Sequence, residues 1–320
     1  RVRKLRNKNI ETFSMISDFT LYEDNMVSKF ELKYNNYPFY IRYSYRQKAK
    51  EFVNITNWTP VLYFDIPTRK AKLTITTEPD FPLNIYENML DHKQTFKDDK
   101  IQYTWKARYD EQRISEKFIP SLDEIVPYVK GSPVKFEFGE YGNFDNWVGF
   151  GEWQLRVMEG LGDLTEDEKQ KIHELIRNKA SKLEKLKVLY HYLQDNTRYI
   201  NVSINTGGLI PYQASYVCEN RYGDCKALTN YFKAVLEYAE IDSYYSNVYA
   251  GSRINKVEKT FLGSQFNHII LMVPLQRDTV WLDCTSSGPF NYLGTFTQNR
   301  NAFVLKPGES HFVKTPALSP

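Results

Sequence analysis

The chain has 320 residues, with 42 basic and 39 acidic side chains and a formal charge of +3, and its acids and bases alternate along the sequence instead of clustering. That balance argues against a nucleic-acid groove, which draws on a concentrated basic stripe, and describes a solvated surface of mixed sign. No stretch approaches the ~20 consecutive apolar residues of a membrane helix.

The length suits two domains, each large enough to bury a core of its own. A content of 24 Tyr and 20 Phe favours β-rich structure, because flat rings pack well on a pleated face. The chain opens on Arg1, without Met or a signal peptide, and closes on Thr315-Pro316-Ala317-Leu318-Ser319-Pro320. It therefore reads as a piece of a longer protein, and the absence of a targeting signal says nothing about location.

Residues from about 10 to 140 read as strands. Phe39, Ile41, Tyr43 and Tyr45 alternate with Arg42 and Ser44, and Ala71, Leu73 and Ile75 with Lys72 and Thr74. Ile101, Tyr103, Trp105 and Ala107 alternate with Gln102, Thr104 and Lys106, and Val134, Phe136 and Phe138 with Lys135 and Glu137. A period of two is the mark of antiparallel strands with one buried and one wet face. Asn35-Asn36 and Glu78-Pro79-Asp80 supply turns between them. Residues 1–148 are thus expected to form an antiparallel β-sandwich with a binding or scaffolding role. No constellation of His, Cys or paired acids marks a site there.

Near Gly149 the pattern changes. Trp153, Val157 and Leu161 recur at helical spacing, and two capping boxes follow, Thr165 to Glu168 and Ser181 to Glu184. They lead into apolar Ile172, Leu175 and Ile176, and into Leu183, Leu186, Leu189, Tyr190 and Leu193. A looser stretch holds Gly207-Gly208 and Pro211, and a third helix starts near Cys225 with Leu228, Phe232, Val235 and Leu236 on one side. Strands are expected at about 243–250, 267–273 and 279–284. Residues 149–320 therefore form a second, α+β domain of helices followed by a small antiparallel sheet.

Three cysteines, Cys218, Cys225 and Cys284, cannot make a disulfide framework, and without a C-x-x-C pair no structural zinc site is expected. No cofactor motif is present. Cys225, within Arg221-Tyr222-Gly223-Asp224-Cys225-Lys226, falls at the first turn of a predicted helix. Unpaired N–H groups and the dipole at that end stabilise a thiolate, and the same N–H groups can bind a developing oxyanion. Gly223 permits a tight entry that a side chain would obstruct. The competing reading of Cys225 is a small buried hydrophobe.

His268 opens the apolar strand Asn267 to Val273, and Asp283 ends the next strand, Thr279 to Asp283, after a connection containing Gln276-Arg277-Asp278. An even-numbered hairpin loop would set the two on one face, directly opposite or diagonal, within reach of a hydrogen bond. The other histidines lack such an acid: His173 and His191 lie in charged helices, and His92 and His311 are expected in polar loops. Cys225 as nucleophile, His268 as base and Asp283 as orienter follow the papain-like order. Cys284, beside Asp283, must then face away from the site as a buried spectator.

The segments Tyr222-Gly223-Asp224-Cys225-Lys226, Asn267-His268 and Leu282-Asp283-Cys284-Thr285 resemble the three catalytic segments of the bacterial transglutaminase-like superfamily. Gly207-Gly208-x-x-Pro211 and Asn196-Thr197-Arg198-Tyr199 resemble that family's approach to the nucleophile, and the β-rich first domain resembles one that precedes this core in secreted or periplasmic bacterial proteins. The resemblance implies a papain-like core, a Cys-His-Asp triad and a periplasmic or secreted setting. Its members include peptide hydrolases, amide-transferring enzymes and inactive copies, so the motifs do not select a reaction.

Ala227 stands where members often carry an acid, and the chain stops before the further C-terminal β domain that members commonly have. The expected function is acyl transfer on a protein, peptide or amide substrate, with hydrolysis favoured over crosslinking because nothing suggests an amine tunnel. Gln213 is the one loop residue suggested as a second oxyanion donor. The rival is an inert papain-like core that binds peptide or glycan, favoured if Cys225 were tied to Cys218.

Overall fold

The computed structural model describes residues 5–14, 20–23, 26–31, 35–62, 66–110, 122–203, 208–252, 254, 256–276 and 278–317. Gly207, Arg277 and the last three residues, parts of motifs named above, lie outside them.

Strands β1 (Ile10–Ser14), β2 (Thr20–Glu23) and β3 (Met26–Phe30) come first, with β1 and β3 paired antiparallel. Next are β4 (Thr56–Trp58), β5 (Thr68–Thr77), β6 (Leu83–Asn88), β7 (His92–Lys97) and β8 (Lys100–Tyr109). The short helix α1 (Leu122–Ile125) and strand β9 (Tyr128–Pro133) complete the set. They form two three-stranded antiparallel sheets, β4-β9-β6 and β5-β8-β7.

The sheets share one core. Ile75, Trp105 and Val129 are buried in it, with Trp58, Leu73, Leu83, Ile85 and Tyr103 packed around them. The strand alternation read in β5 and β8 sends Leu73, Ile75 and Trp105 inward and Lys72, Thr74 and Lys106 outward. This is the expected sandwich.

Two expectations need correction. Residues 39–45 form no strand, and Tyr40, Tyr43 and Tyr45 stand largely exposed. Alternation supplies one apolar face, but a strand also needs a neighbour for its backbone groups, and none pairs with this segment among the described residues. His92 and His311 open strands β7 and β19 (His311–Lys314) instead of lying in loops. The Glu87 carboxylate accepts from Trp105 Nε1–H and meets His92 Nδ1 at 2.9 Å, so His92 is held by an acid that sequence spacing did not connect to it.

The hairpin β10 (Lys135–Phe138) and β11 (Glu140–Asn143) leads into helices α2 (Trp147–Val157), α3 (Glu166–Ile176) and α4 (Lys182–Asn196). Thr165 and Ser181 cap α3 and α4, accepting from the Glu168 and Glu184 N–H groups at 3.4 and 3.2 Å. Only the second cap is reciprocated nearby, through Glu184 and the Ala180 N–H, because Glu168 turns inward. The short strands β12 (Arg198–Tyr199) and β13 (Asn201–Ser203), helix α5 (Ala214–Asn220) and strand β14 (Tyr222–Gly223) then precede α6 (Cys225–Tyr238).

Strands β15 (Tyr244–Val248), β16 (His268–Pro274), β17 (Thr279–Leu282) and β18 (Asn301–Val304), with helix α7 (Gly294–Thr297) before β18, complete the fold with β19. The last five strands make one antiparallel sheet in the order β17-β16-β15-β18-β19. Its β18 and β19 were not read from the sequence, and neither was α5.

On one face, Leu271, Val273, Val280 and Leu282 pack with Leu228, Phe232 and Val235 of α6 and with Leu186, Leu189 and Tyr190 of α4. Alongside, α2 and the β10–β11 hairpin stack Phe136, Phe144, Phe150 and Trp153 against Tyr245, Ile269 and Phe303. The back face closes over Val248, Ile270, Trp281 and Val304. The fold is α+β, an antiparallel sandwich followed by a helix-backed antiparallel sheet.

Candidate active site

The chain enters α6 through a pinned segment. Arg221 takes a left-handed conformation (φ 59°) as α5 ends. Its guanidinium meets the buried Glu168 carboxylate at 2.8 Å, and Glu168 also accepts from the Tyr231 hydroxyl at 2.5 Å. Strands β12 and β14 run parallel, with the Ile200 N–H donating to the Gly223 carbonyl at 2.9 Å. A Cβ on Gly223 would lie 2.8 Å from the Ala227 Cβ, so the close approach excludes any side chain there.

Asp224 is the N-cap of α6. Its carboxylate accepts from the Ala227 N–H at 2.9 Å and pairs with the Lys226 ammonium. Cys225 is the first helical residue, as expected from the sequence, and is half-buried. Its own N–H and that of Lys226 belong to the first turn, where a helix offers no internal acceptor.

Between β16 and β17, Leu275 and Asp278 exchange backbone hydrogen bonds. The ladder pairs Leu271 with Leu282 and Met272 with Trp281, so Asp283 falls one step past β17 and diagonal to His268 on the same face. His268 Nε2 meets Asp283 Oδ2 at 3.0 Å, and both side chains are buried. The other Asp283 oxygen accepts from the Thr285 N–H and hydroxyl at 3.0 and 2.7 Å. The Tyr190 hydroxyl donates to the Asp283 carbonyl at 3.0 Å and ties this strand end to α4.

With Nε2 committed to Asp283, Nδ1 is the nitrogen left for Cys225, which lines the same cleft as the ring. Burial opposes a charge on His268, but the bonds to Asp283 and Cys225 outweigh it and raise the imidazolium pKa to about 10. Burial likewise opposes the Asp283 carboxylate, and the bond to His268 overcomes it, holding this acid below its ordinary range. The structure thus brings Cys225, His268 and Asp283 together. Cys284 points the other way, buried beside Leu282 in the helix-backed core, where burial pushes its thiol well up. All three cysteines are free.

Cys225 and His268 open onto a cleft of about 80 Å³, also lined by Lys226, Gln154, Asn247 and Phe266. Gln213, suggested from the sequence, is instead the N-cap residue of α5 and is not among the lining residues. In its place sits a buried amide pair. Gln154 Nε2 donates to Asn247 Oδ1 at 3.0 Å, and Asn247 Nδ2 donates back to Gln154 Oε1 at 2.7 Å. Each amide spends one hydrogen on its partner and keeps a second.

Tyr199 was seen in the sequence only as part of the approach to the nucleophile. Its hydroxyl is pushed up to about 12 by burial and by the nearby Cys225, Asp224 and Asp283, so it stays protonated beside the thiol. The one sequence signal for Gln154 and Asn247 is an amide on a helix face and on a strand that are otherwise apolar.

A helix-borne cysteine facing a histidine and an acid on adjacent strands is the layout of a papain-like core. No family model matches the chain, and no curated protein matches it. Among solved structures, a putative protease from Parabacteroides distasonis superposes with a TM-score of 0.63 at 16% identity, over 85% of this chain and 50% of that one. The present chain spans half the length of that protein, and the likeness shows a shared fold.

A putative cysteine protease from Cytophaga hutchinsonii (TM-score 0.32, 10% identity, 69% of this chain and 73% of that one) superposes more loosely. So does the periplasmic domain of TgpA from Pseudomonas aeruginosa (0.28, 13%, 72% and 77%). Nothing about function rests on either.

Proposed function

We propose that this chain is a thiol hydrolase of peptide or amide bonds, acting through Cys225, His268 and Asp283. The observation that carries the reading is His268, paired with a buried carboxylate at 3.0 Å and lining one cleft with a thiol at a helix start. Cys225 Sγ attacks the carbonyl carbon as the thiolate, and the oxyanion is held by the Cys225 N–H and a spare hydrogen of the Gln154–Asn247 pair. The C–N bond breaks as His268 Nδ1 passes its proton to the leaving nitrogen. His268 then takes a proton from water, the hydroxide adds to the thioester, and the C–S bond breaks to release the acid and restore the thiolate. Asp283 keeps the ring oriented throughout.

Hydrolysis is favoured over crosslinking because the cleft is small. The chemistry belongs to residues 149–320, since every residue lining the cleft comes from Phe150 onward, and residues 1–148 serve as scaffold or binding module. No helix among the described residues is long and apolar enough to cross a membrane. We place the parent protein in the periplasm or outside the cell, on the resemblance of its motif segments; fractionation of cells making the full-length protein tests that.

Iodoacetamide labelling across pH, mapped by mass spectrometry, tests the chemistry. Cys225 should be alkylated faster than a thiol in a denatured control, and His268→Ala should remove that advantage. Cys225 reacting no faster than a thiol in a denatured control would refute the reading, and a screen of peptide and amide substrates then identifies what is cleaved.

A further inference from the structure

The outer face of the β5-β8-β7 sheet carries a pattern that the catalytic reading does not use. The ladder sets Lys72 opposite Lys106, Thr74 opposite Thr104, and Thr76 opposite Gln102. On the other side of β8, Lys93 faces Thr104, Thr95 faces Gln102, and Lys97 faces Lys100. The intervening residues of β5 and β8, such as Leu73, Ile75 and Trp105, turn into the sandwich core. Ten adjacent outward positions therefore hold five lysines, four threonines and one glutamine, with neither an acid nor an apolar side chain among them.

Lys97 and Lys100 reach the flanking Asp98 and Glu78 at 4.0 and 2.8 Å. Lys72, Lys93 and Lys106 make no ion pair among the described residues. They line a shallow depression of about 450 Å³ together with Asp91 and the imidazole of His92. Like charges directly opposite one another on a sheet destabilise it, and Lys72 and Lys106 are such a pair. Elsewhere the chain interleaves acids with bases, so a face that only had to stay solvated would not require this concentration.

We propose that this face binds an anionic polysaccharide. Its chemistry separates that partner from other polyanions. A bilayer-binding surface adds apolar side chains to its cations, and this face has none. Single-stranded nucleic acid is gripped by aromatic platforms, and the outward positions have no ring. Sheets that grip a duplex from the minor groove wedge apolar side chains between its bases, and this face offers none. A hydroxyl-rich chain bearing carboxylates or sulfates, by contrast, meets ammonium groups at both ends of the face and the Thr76, Gln102 and Thr95 side chains between them. Successive outward rows lie about 7 Å apart along the strands and neighbouring strands about 5 Å apart, which spaces donors at the scale of sugar substituents.

Affinity electrophoresis of the full 320-residue chain through gels containing polygalacturonate tests this, with dextran, duplex DNA and anionic phospholipid vesicles as separate arms. The chain should be retarded by polygalacturonate and not by dextran. Changing Lys72, Lys93 and Lys106 together to Gln should weaken retardation about tenfold and flatten its salt dependence, because three exposed charge contacts are lost, and should not lower the melting temperature, because the Lys72–Lys106 repulsion is relieved. Changing the exposed lysines Lys171 of α3, Lys182 of α4 and Lys179 between them to Gln should leave binding as it was.

An unretarded wild-type chain would overturn the proposal. So would an equal loss in both triple variants, or equal affinity for DNA or vesicles. Cys225→Ala should bind like the wild type, so this outcome is independent of whether the catalytic reading holds.

Discussion

Replacing Asp283 by Asn probes the buried pair directly. The side chain keeps its shape and an oxygen for Thr285, but the negative charge that outweighs the desolvation of the His268 imidazolium is gone. Taking one member from a buried pair costs about 3–5 kcal/mol, because the remaining charge is left uncompensated. In the wild type, the His268 pKa rises on folding from its ordinary value of about 6.5 to about 10. The stabilisation from its charge is therefore complete below about pH 6.5 and disappears as the pH climbs through about 10. Asp283, held low, contributes above its ordinary range near pH 4 and loses its contribution on further acidification.

In the Asn variant the ring has no carboxylate, burial dominates, and it folds neutral. The stability gap between the two proteins should be widest from about pH 5 to 6.5 and close steadily toward pH 10. Urea unfolding at intervals over that range measures it. A gap that stays constant with pH, or that grows on the alkaline side, would show that His268 is not held charged by Asp283.

Three further outcomes follow from the geometry. Cys225→Ala should abolish turnover with Tm almost unchanged, whereas Cys284→Ala should cost roughly 1 kcal/mol as a modest core truncation and leave turnover intact; assays and melts of both variants check the pair. Gly223→Ala should destabilise by about 1–3 kcal/mol and slow alkylation of Cys225, because the new Cβ would press on Ala227 at 2.8 Å and shift the helix start. Gln154→Leu should lower kcat about a hundredfold while the alkylation rate of Cys225, which develops no oxyanion, stays near that of the wild type. Equal losses in both rates would instead make Gln154 a merely structural support.

What could be read from the sequence was local in the chain. Cys225 follows an Asp that caps a helix, and His268 and Asp283 are joined by a tight turn, so pattern and spacing alone place the three on the right elements. Gln154 and Asn247 are 93 residues apart and meet because α2 lies across the sheet, which no spacing rule announces. Gln213 was chosen for its loop and its amide, but the start of α5 claims it. Residues 39–45 show the opposite failure: a strong alternation that no neighbouring strand completes among the described residues.

The basic face shows why a charge reading along the chain can miss charge in space. Lys70-Ala71-Lys72-Leu73-Thr74 and Thr104-Trp105-Lys106-Ala107 contain no run of bases, and the net charge of +3 suggests no cationic surface. A strand, however, sends every second residue to the same side, and pairing multiplies that selection across neighbours. Three strands, each unremarkable in composition, thereby present five lysines on one side and an apolar core on the other. The same alternation that buries Trp105 is what assembles the cationic face, so mutations that slip the β5–β8 register by one residue should destroy both together. For the sandwich, then, stability and binding are opposite faces of one periodicity. The catalytic core separates them, holding its fold through α6 and the sheet and its chemistry at the one end where helix start and strand ends converge.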